Sequence, residues 1–273
     1  MAFQTGTASG YKDLMAKLRT FATANGWESV KYSNPSSGEH ELVLKSTGPG
    51  GDDSIHVGYR TVTNTASDYF NWDLWTSQVY TGGDFWSQAG QSPRRCLLLW
   101  NNNIPYWFVV TKRSIVVVAN VSTTYHVSYN GLITPYTSKG HWVAPLASGA
   151  SSSVNTLRWS DTSANVGGLQ KVNGTATITI RDKDGNWANV HTMYPHSGGG
   201  PILLNGYSSG NKAVQQYIYF ASDRVLGEPE NLFYVNGATL QPGQTLNNEQ
   251  GNFVCIPNIF RSGVQDFYAV RLV

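Results

Sequence analysis

Gly206-Tyr-Ser-Ser-Gly210 is the stretch that comes nearest to a catalytic motif. It fits G-x-S-x-G, in which a serine on a tight strand-to-helix turn is activated by a histidine further along the chain. The apolar run Ile202-Leu-Leu204 precedes it, but no histidine follows His196, so the required order fails. The stretch reads as a glycine-serine loop. Ser209-Gly-Asn-Lys212 fits S-x-x-K in the same loop, without the companion motifs of that chemistry.

Asp182-Lys-Asp-Gly-Asn186 starts like a calcium loop. The sixth position of such a loop must be glycine for its sharp turn, and the twelfth a bidentate glutamate. Here they are Trp187 and Met193, and the flanks are strand-like, so an Asp-Gly hairpin turn is the better reading. The six histidines (His40, His56, His126, His141, His191 and His196) show no H-x-H or H-E-x-x-H spacing. Gly48-Pro-Gly-Gly51 and Gly198-Gly-Gly-Pro201 lack the Lys-Ser/Thr of a phosphate-cradling loop. Cys96 and Cys255 match no metal spacing and read as buried free thiols. No catalytic, cofactor-binding or metal-ligating residue is therefore assigned, and no cofactor and no enzymatic activity are expected.

A sugar-cleaving site needs two carboxylates about a cleft. Asp73, Asp84 and Asp161 each lie near tryptophans, but 17 acids among nine tryptophans produce such neighbours by chance. Tryptophan itself admits two roles, an exposed platform for sugar rings or a plate in a core or interface. Trp72, Trp100 and Trp107 lie on apolar runs and favour the second. Trp86, Trp142 and Trp187 lie near loops and remain candidates for stacking on a glycan.

Composition narrows the partners. Only 13% of residues are charged and the net charge is +2, without the basic stripe of a nucleic-acid binder. No apolar run reaches the roughly 18 residues of a membrane span, and no polybasic segment is present, so no membrane association is expected. The first ten residues lack the basic and apolar regions of a signal peptide. The 28 glycines, 15 tyrosines and nine tryptophans favour a β-rich chain with many turns.

One helix is clear. Tyr11, Leu14, Met15, Leu18, Phe21 and Ala22 recur every three or four residues, with Ser9 as N-cap and Asn25-Gly26 as stop. Trp27 is expected to fold back over its end. Strands follow near 28–32, 41–45, 55–62 and 69–75, the last with aromatics on both faces. The centre of the chain is a hairpin: Tyr106–Val110 and Ile115–Val121 flank the turn Thr111-Lys-Arg-Ser114. Its second run is apolar at nearly every position, as in a strand covered on both faces. The expected class is α+β, mainly β, with an N-terminal amphipathic helix packed on an antiparallel sheet and a second β-rich half. The expected organisation is a helix-plus-sheet domain over 1–146, a Gly/Ser-rich linker or loop over 147–157, and a β-rich half over 158–273, separate or returning to the first sheet.

Several stretches carry a resemblance. The helix-then-Trp27 opening, Glu41-Leu-Val-Leu-Lys45 with Gly48, and Ile55-x-Val-Gly-x-Arg60 are similar to a family of tailed-bacteriophage and prophage virion proteins. So are Tyr69-x-Asn-Trp-x-Leu74, Ile104-Pro-Tyr-Trp-Phe-Val109 with Arg113-x-Ile-Val-Val117, and Arg158-Trp-Ser-Asp161. The ending, Asn258-Ile-Phe-Arg-Ser-Gly263 through Asp266-Phe-Tyr-Ala269, extends the likeness over most of the chain. The resemblance implies a structural component of the virion, assembled in the host cytoplasm into a symmetric ring of copies, commonly sixfold, in the neck or tail. There it would act as a tail terminator or collar joining tube or sheath to head, against other tail and neck proteins. Alternatives are a baseplate or fibre-attachment protein, or a carbohydrate-binding receptor module using Trp86, Trp142 or Trp187. For the assembly reading, the polar residues flanking the hairpin, Asn101, Asn102, Asn103, Lys112 and Arg113, are the expected partner contacts. Truncating Trp107 is expected to cost folding, and changing Lys112 and Arg113 to cost assembly alone.

Overall fold

Strand β1 (Ala2–Ala8) opens the chain, and sequence pattern does not announce it. It is a strand because it pairs antiparallel, residue for residue, with Ile104–Val110. Helix α1 (Tyr11–Ala24) follows and buries Tyr11, Leu14, Met15, Leu18 and Ala22, the stripe its periodicity indicates. Leu14, Met15 and Leu18 each contribute about 1.5–3 kcal/mol on burial. The N-cap is Gly10, not the expected Ser9; the Ser9 N–H instead donates to Asp13 Oδ2 at 2.8 Å. Gly26 takes a left-handed φ of 91°, which ends the helix, and the Trp27 N–H returns to the Ala22 carbonyl at 3.1 Å. The computed structural model describes residues 1–136, 142, 144–162, 166–167, 169, 178–190, 196–197, 200–201, 214–215, 218–220, 224–235, 237, 239–259 and 267–272.

An antiparallel meander comes next: β2 (Glu28–Ser33), β3 (Glu41–Ser46), β4 (Ile55–Asn64), β5 (Tyr69–Ser77) and β6 (Arg95–Leu97). Alternation sends Leu42, Leu44, Val57, Tyr59, Trp72 and Leu74 toward α1 and the central sheet. On the outer face Val43 and Trp75 pack under Phe85 of the following loop, so β5 is covered on both sides.

The central hairpin is β7 (Ile104–Val110) and β8 (Ser114–Val121), and β9 (Thr124–Leu132) continues it. After the short β10 (Thr134–Pro135) come β11 (Leu146–Gly149), β12 (Ile178–Arg181) and β13 (Trp187–Asn189). Together they form a seven-stranded sheet ordered β1-β7-β8-β9-β11-β12-β13. Asp182 to Asn186 is the hairpin turn between β12 and β13, closed by Asp182 N–H to the Asn186 carbonyl at 2.8 Å.

Two-residue strands β14 (His196–Ser197) and β15 (Gly200–Pro201) pair with each other, then come β16 (Val214–Gln215), β17 (Ile218–Phe220) and β18 (Arg224–Glu228). Finally β19 (Leu232–Val235), β20 (Thr245–Asn248), β21 (Gly251–Pro257) and β22 (Phe267–Arg271) build a five-stranded sheet ordered β16-β19-β22-β21-β20.

These sheets stack as layers about the central one. On β8, Ile115, Val117, Ala119 and Val121 join the core shared with α1 and the meander. Val116 and Val118 point the other way, into a core with Leu232, Val254, Ile256, Tyr268 and Val270 of the last sheet. The expected α+β class is thereby corrected: strands take up 49% and helix 7%, so the chain is mostly β with one helix laid on it. A conspicuous amphipathic helix carried too much weight in the sequence, because most of the strands are short and lack clear alternation.

Residues 147–149, inside the stretch expected as a linker or loop, lie in the buried strand β11, which pairs with both β9 and β12. The chain then crosses to the meander, where Ser152 and Cys96 exchange both backbone hydrogen bonds, at 2.8 and 3.0 Å. This segment is a seam between two sheets. Gly149 shows why it needs small residues: a Cβ there would fall 2.6 Å from Leu169 Cδ2.

Candidate assembly surface

The hairpin turn is held by its own hydroxyl and by four other parts of the chain. Thr111 Oγ1 accepts the N–H groups of Arg113 and Ser114, both at 3.0 Å, an arrangement that serine and threonine favour in turns. Trp27 Nε1 donates to the Thr111 carbonyl at 2.7 Å, and Ser46 Oγ donates to that of Lys112. Arg113 Nε lies 2.6 Å from Glu230 Oε1, and its Nη2 donates to the Ile133 carbonyl at 2.8 Å. Burial raises the Glu230 carboxyl above the usual carboxylate range, and the facing Arg113 opposes the rise. Arg113 thus serves an internal clamp. Lys112 stays exposed, its aliphatic stem lying over Gly26.

Asn101, Asn102 and Asn103 are exposed in the loop before β7. Asn101 lies against Gly10 at the start of α1, where a Cβ would fall 2.9 Å from Asn101 Oδ1. Trp100 beside them donates Nε1–H to the Asn103 carbonyl at 3.2 Å and meets Trp159 edge-on. At roughly 3.3 Å per residue, β7 separates this loop from the hairpin turn by more than 20 Å. The two expected contact groups are therefore not one patch.

What joins them is β1, which the sequence reading missed as a strand. It runs along β7 from Ala8 opposite Ile104 to Ala2 opposite Val110, and forms one edge of the seven-stranded sheet. Phe3, Thr5 and Thr7 are exposed on one face, with Phe3 41% accessible. On the other face, Gln4 borders a trough of about 390 Å³ lined by Asp13, Ala16, Lys17 and Thr20 of α1. The strand is well anchored: Gln4 Nε2 donates to Tyr106 Oη at 3.2 Å, and Thr5 Oγ1 to the Tyr106 carbonyl at 2.9 Å. The only advance signal was the threonine-rich alternation of Phe3, Thr5 and Thr7.

The three tryptophans considered as sugar platforms have separate surroundings. Trp142 is 5% exposed and donates Nε1–H to the Arg181 carbonyl at 2.8 Å, so it offers no open ring face. Trp187 is half-buried, with Nε1 donating to the Gly90 carbonyl at 2.9 Å. Trp86 is half-buried, with the Arg94 guanidinium over its ring at 4.7 Å and Phe85 edge-on at 5.0 Å.

The groups most able to do chemistry are held in inert forms. Asp73 is buried and accepts from Cys96 Sγ at 3.2 Å and Asn155 Nδ2 at 3.0 Å, with Arg94 Nε 3.6 Å away. Burial raises its carboxyl, and burial together with Asp73 pushes the Cys96 thiol well up. A nucleophilic thiol needs the opposite shift. Burial likewise pushes Cys255 up to about 12 and His126 down to about 3. Asp84 accepts the Trp86 N–H and Asp161 pairs with Arg158 at 3.4 Å, so the three carboxylates considered for hydrolysis have separate partners. Among the described residues, no three His, Cys, Asp or Glu gather as metal ligands would. The serine motifs at 206–212, with His141 and His191, lie outside the described residues.

No family model matches this chain, and no curated protein sequence matches it.

Proposed function

We propose that this chain is a non-enzymatic structural protein of a tailed-phage particle, assembled from copies of itself in the neck or tail as a terminator or collar. The observation that carries the reading is one sheet, its central strands covered on both faces by other layers, that ends in the ordered open edge β1. Such a wall holds a shape and offers its backbone for further pairing. The stretches that resemble virion proteins support it, since Glu41–Lys45, Ile55–Arg60, Tyr69–Leu74 and Ile104–Val109 all lie in the two sheets about the main core. The inert Cys96, Cys255 and His126 fit a protein whose polar interior serves packing.

Particles purified from the host that carries the gene provide the test. Mass spectrometry should find the protein in them, and cryo-electron microscopy should place its density on the tail axis. Absence from particles while the protein accumulates in the cell would overturn the reading.

A further inference from the structure

The strands at the other sheet edges are short, charged or broken. β2 carries Glu28 and Lys31, and its pairing slips between Ser29 and Lys31. β6, β13 and β17 have three residues each, β16 has two, β20 has four, and β10 has two including a proline. These are the usual ways in which proteins blunt an edge against pairing with another chain. β1 has none of them: seven residues, Ala-Phe-Gln-Thr-Gly-Thr-Ala, without charge, proline or register break. Among the described residues it is the one long unprotected edge.

We infer that β1 pairs antiparallel with β1 of a second copy, about a two-fold axis normal to the sheet. This rests on the self-assembly part of the proposed function and names the contact. Three features select a second copy as the occupant. First, the added strand would lie beside the trough between β1 and α1, and the side chains it would turn to that face, Ala2, Gln4, Gly6 and Ala8, are small or uncharged. Second, the helix flank lining the trough carries Asp13 and Lys17, one turn apart and 3.6 Å from each other. A two-fold sets two such flanks antiparallel, so Lys17 of each copy approaches the other copy's acidic position; the pattern complements itself. Third, with full overlap the two-fold passes through Thr5, so on the opposite face Thr5 meets Thr5 and the exposed Phe3 of each copy meets the other's Thr7, beside the half-buried Trp107. The edge is already ordered by its pairing with β7, so little freedom is lost on association. An isologous contact closes after two copies, so a larger ring would be built from such pairs.

Sedimentation velocity on the full chain gives the test. The wild type should sediment as a dimer or an even multiple of the chain mass. The double variant Phe3→Lys, Thr7→Lys should run at half that mass with unchanged circular dichroism. A monomeric wild type, or a double variant that keeps the wild-type mass, overturns the inference. Hydrogen exchange on the wild type needs no variant: alternate β1 amides should be protected at high concentration and lose protection on dilution, and equal protection at both overturns it. Finding the protein in particles is read separately, so the two proposals fail independently.

Discussion

Arg113 and Glu230 meet at 2.6 Å, joining the turn of the central hairpin to the short link between β18 and β19. Glu230 also accepts from Thr111 Oγ1 at 3.1 Å, and its N–H donates to Tyr129 Oη at 3.2 Å. The clamp spans the sheet from its hairpin end to the layer behind it, which alters what substitution there should do.

Arg113→Ala should cost folding stability. It leaves a largely buried carboxylate unpaired, at about 1–3 kcal/mol, read as a lower urea midpoint with an unchanged slope. Replacing both partners, Arg113→Met with Glu230→Leu, should recover much of the loss. Lys112→Ala, by contrast, should leave the midpoint in place. Equal effects from the two single variants would contradict the clamp.

His126 should make the protein acid-sensitive. Burial pushes its imidazole down to about 3 from the ordinary 6.5, so the folded state holds it neutral while the unfolded state takes up a proton. Its stabilising contribution is complete above about pH 6.5 and is lost as pH falls toward about 3, by roughly 1.4 kcal/mol per pH unit at most. Asp73, whose carboxyl burial raises, works in the opposite direction from its ordinary 3.8 upward, within the same acid range. Urea unfolding of wild type and His126→Leu between pH 7 and pH 4 separates the two, since only the wild type should show the His126 slope.

Gly58 and Trp75 lie opposite each other on β4 and β5, and the indole covers the glycine. A Cβ on Gly58 would fall 2.2 Å from Trp75 Cε2. Gly58→Ala should therefore displace the ring, cost about 1–3 kcal/mol, and shift tryptophan emission to the red.

Both thiols should ignore alkylating reagents in the native protein and react on unfolding. Cys96 and Cys255 are buried, and both are shifted away from the thiolate. Rapid native labelling at Cys96 would show that the Asn155 segment does not stay closed over Asp73.

The strands with strong alternation or continuous apolar runs, β3 to β5, β7 and β8, were legible because side-chain pattern alone determines which faces they bury. So was α1, although its cap was not: Gly10 stands close against Asn101, a long-range contact that local preference cannot reveal. β1 and β11 escaped for a shared reason. Ala, Gly, Ser and Thr carry little pattern, and these strands are specified by partners far along the chain, Ile104–Val110 for one and both β9 and β12 for the other. The candidate surface suffered most from this. Lys112 and Arg113 stood out as charges in an apolar stretch, yet Arg113 is internal, and the exposed edge between the two polar loops carries no charge at all.

β8 is a wall with a different core on each side, and that fixes an order of events during synthesis. The face bearing Val116 and Val118 is covered by Leu232, Val254, Ile256, Tyr268 and Val270. At ribosomal speeds of about 5–20 residues per second, these arrive on the order of ten seconds after β8 itself. In that interval the nascent chain carries a growing sheet, extended by β9 and β11 to β13, whose valine face stays bare. It would depend on chaperones or on rapid completion to avoid aggregating, and slow translation late in the message should lower the yield of soluble protein.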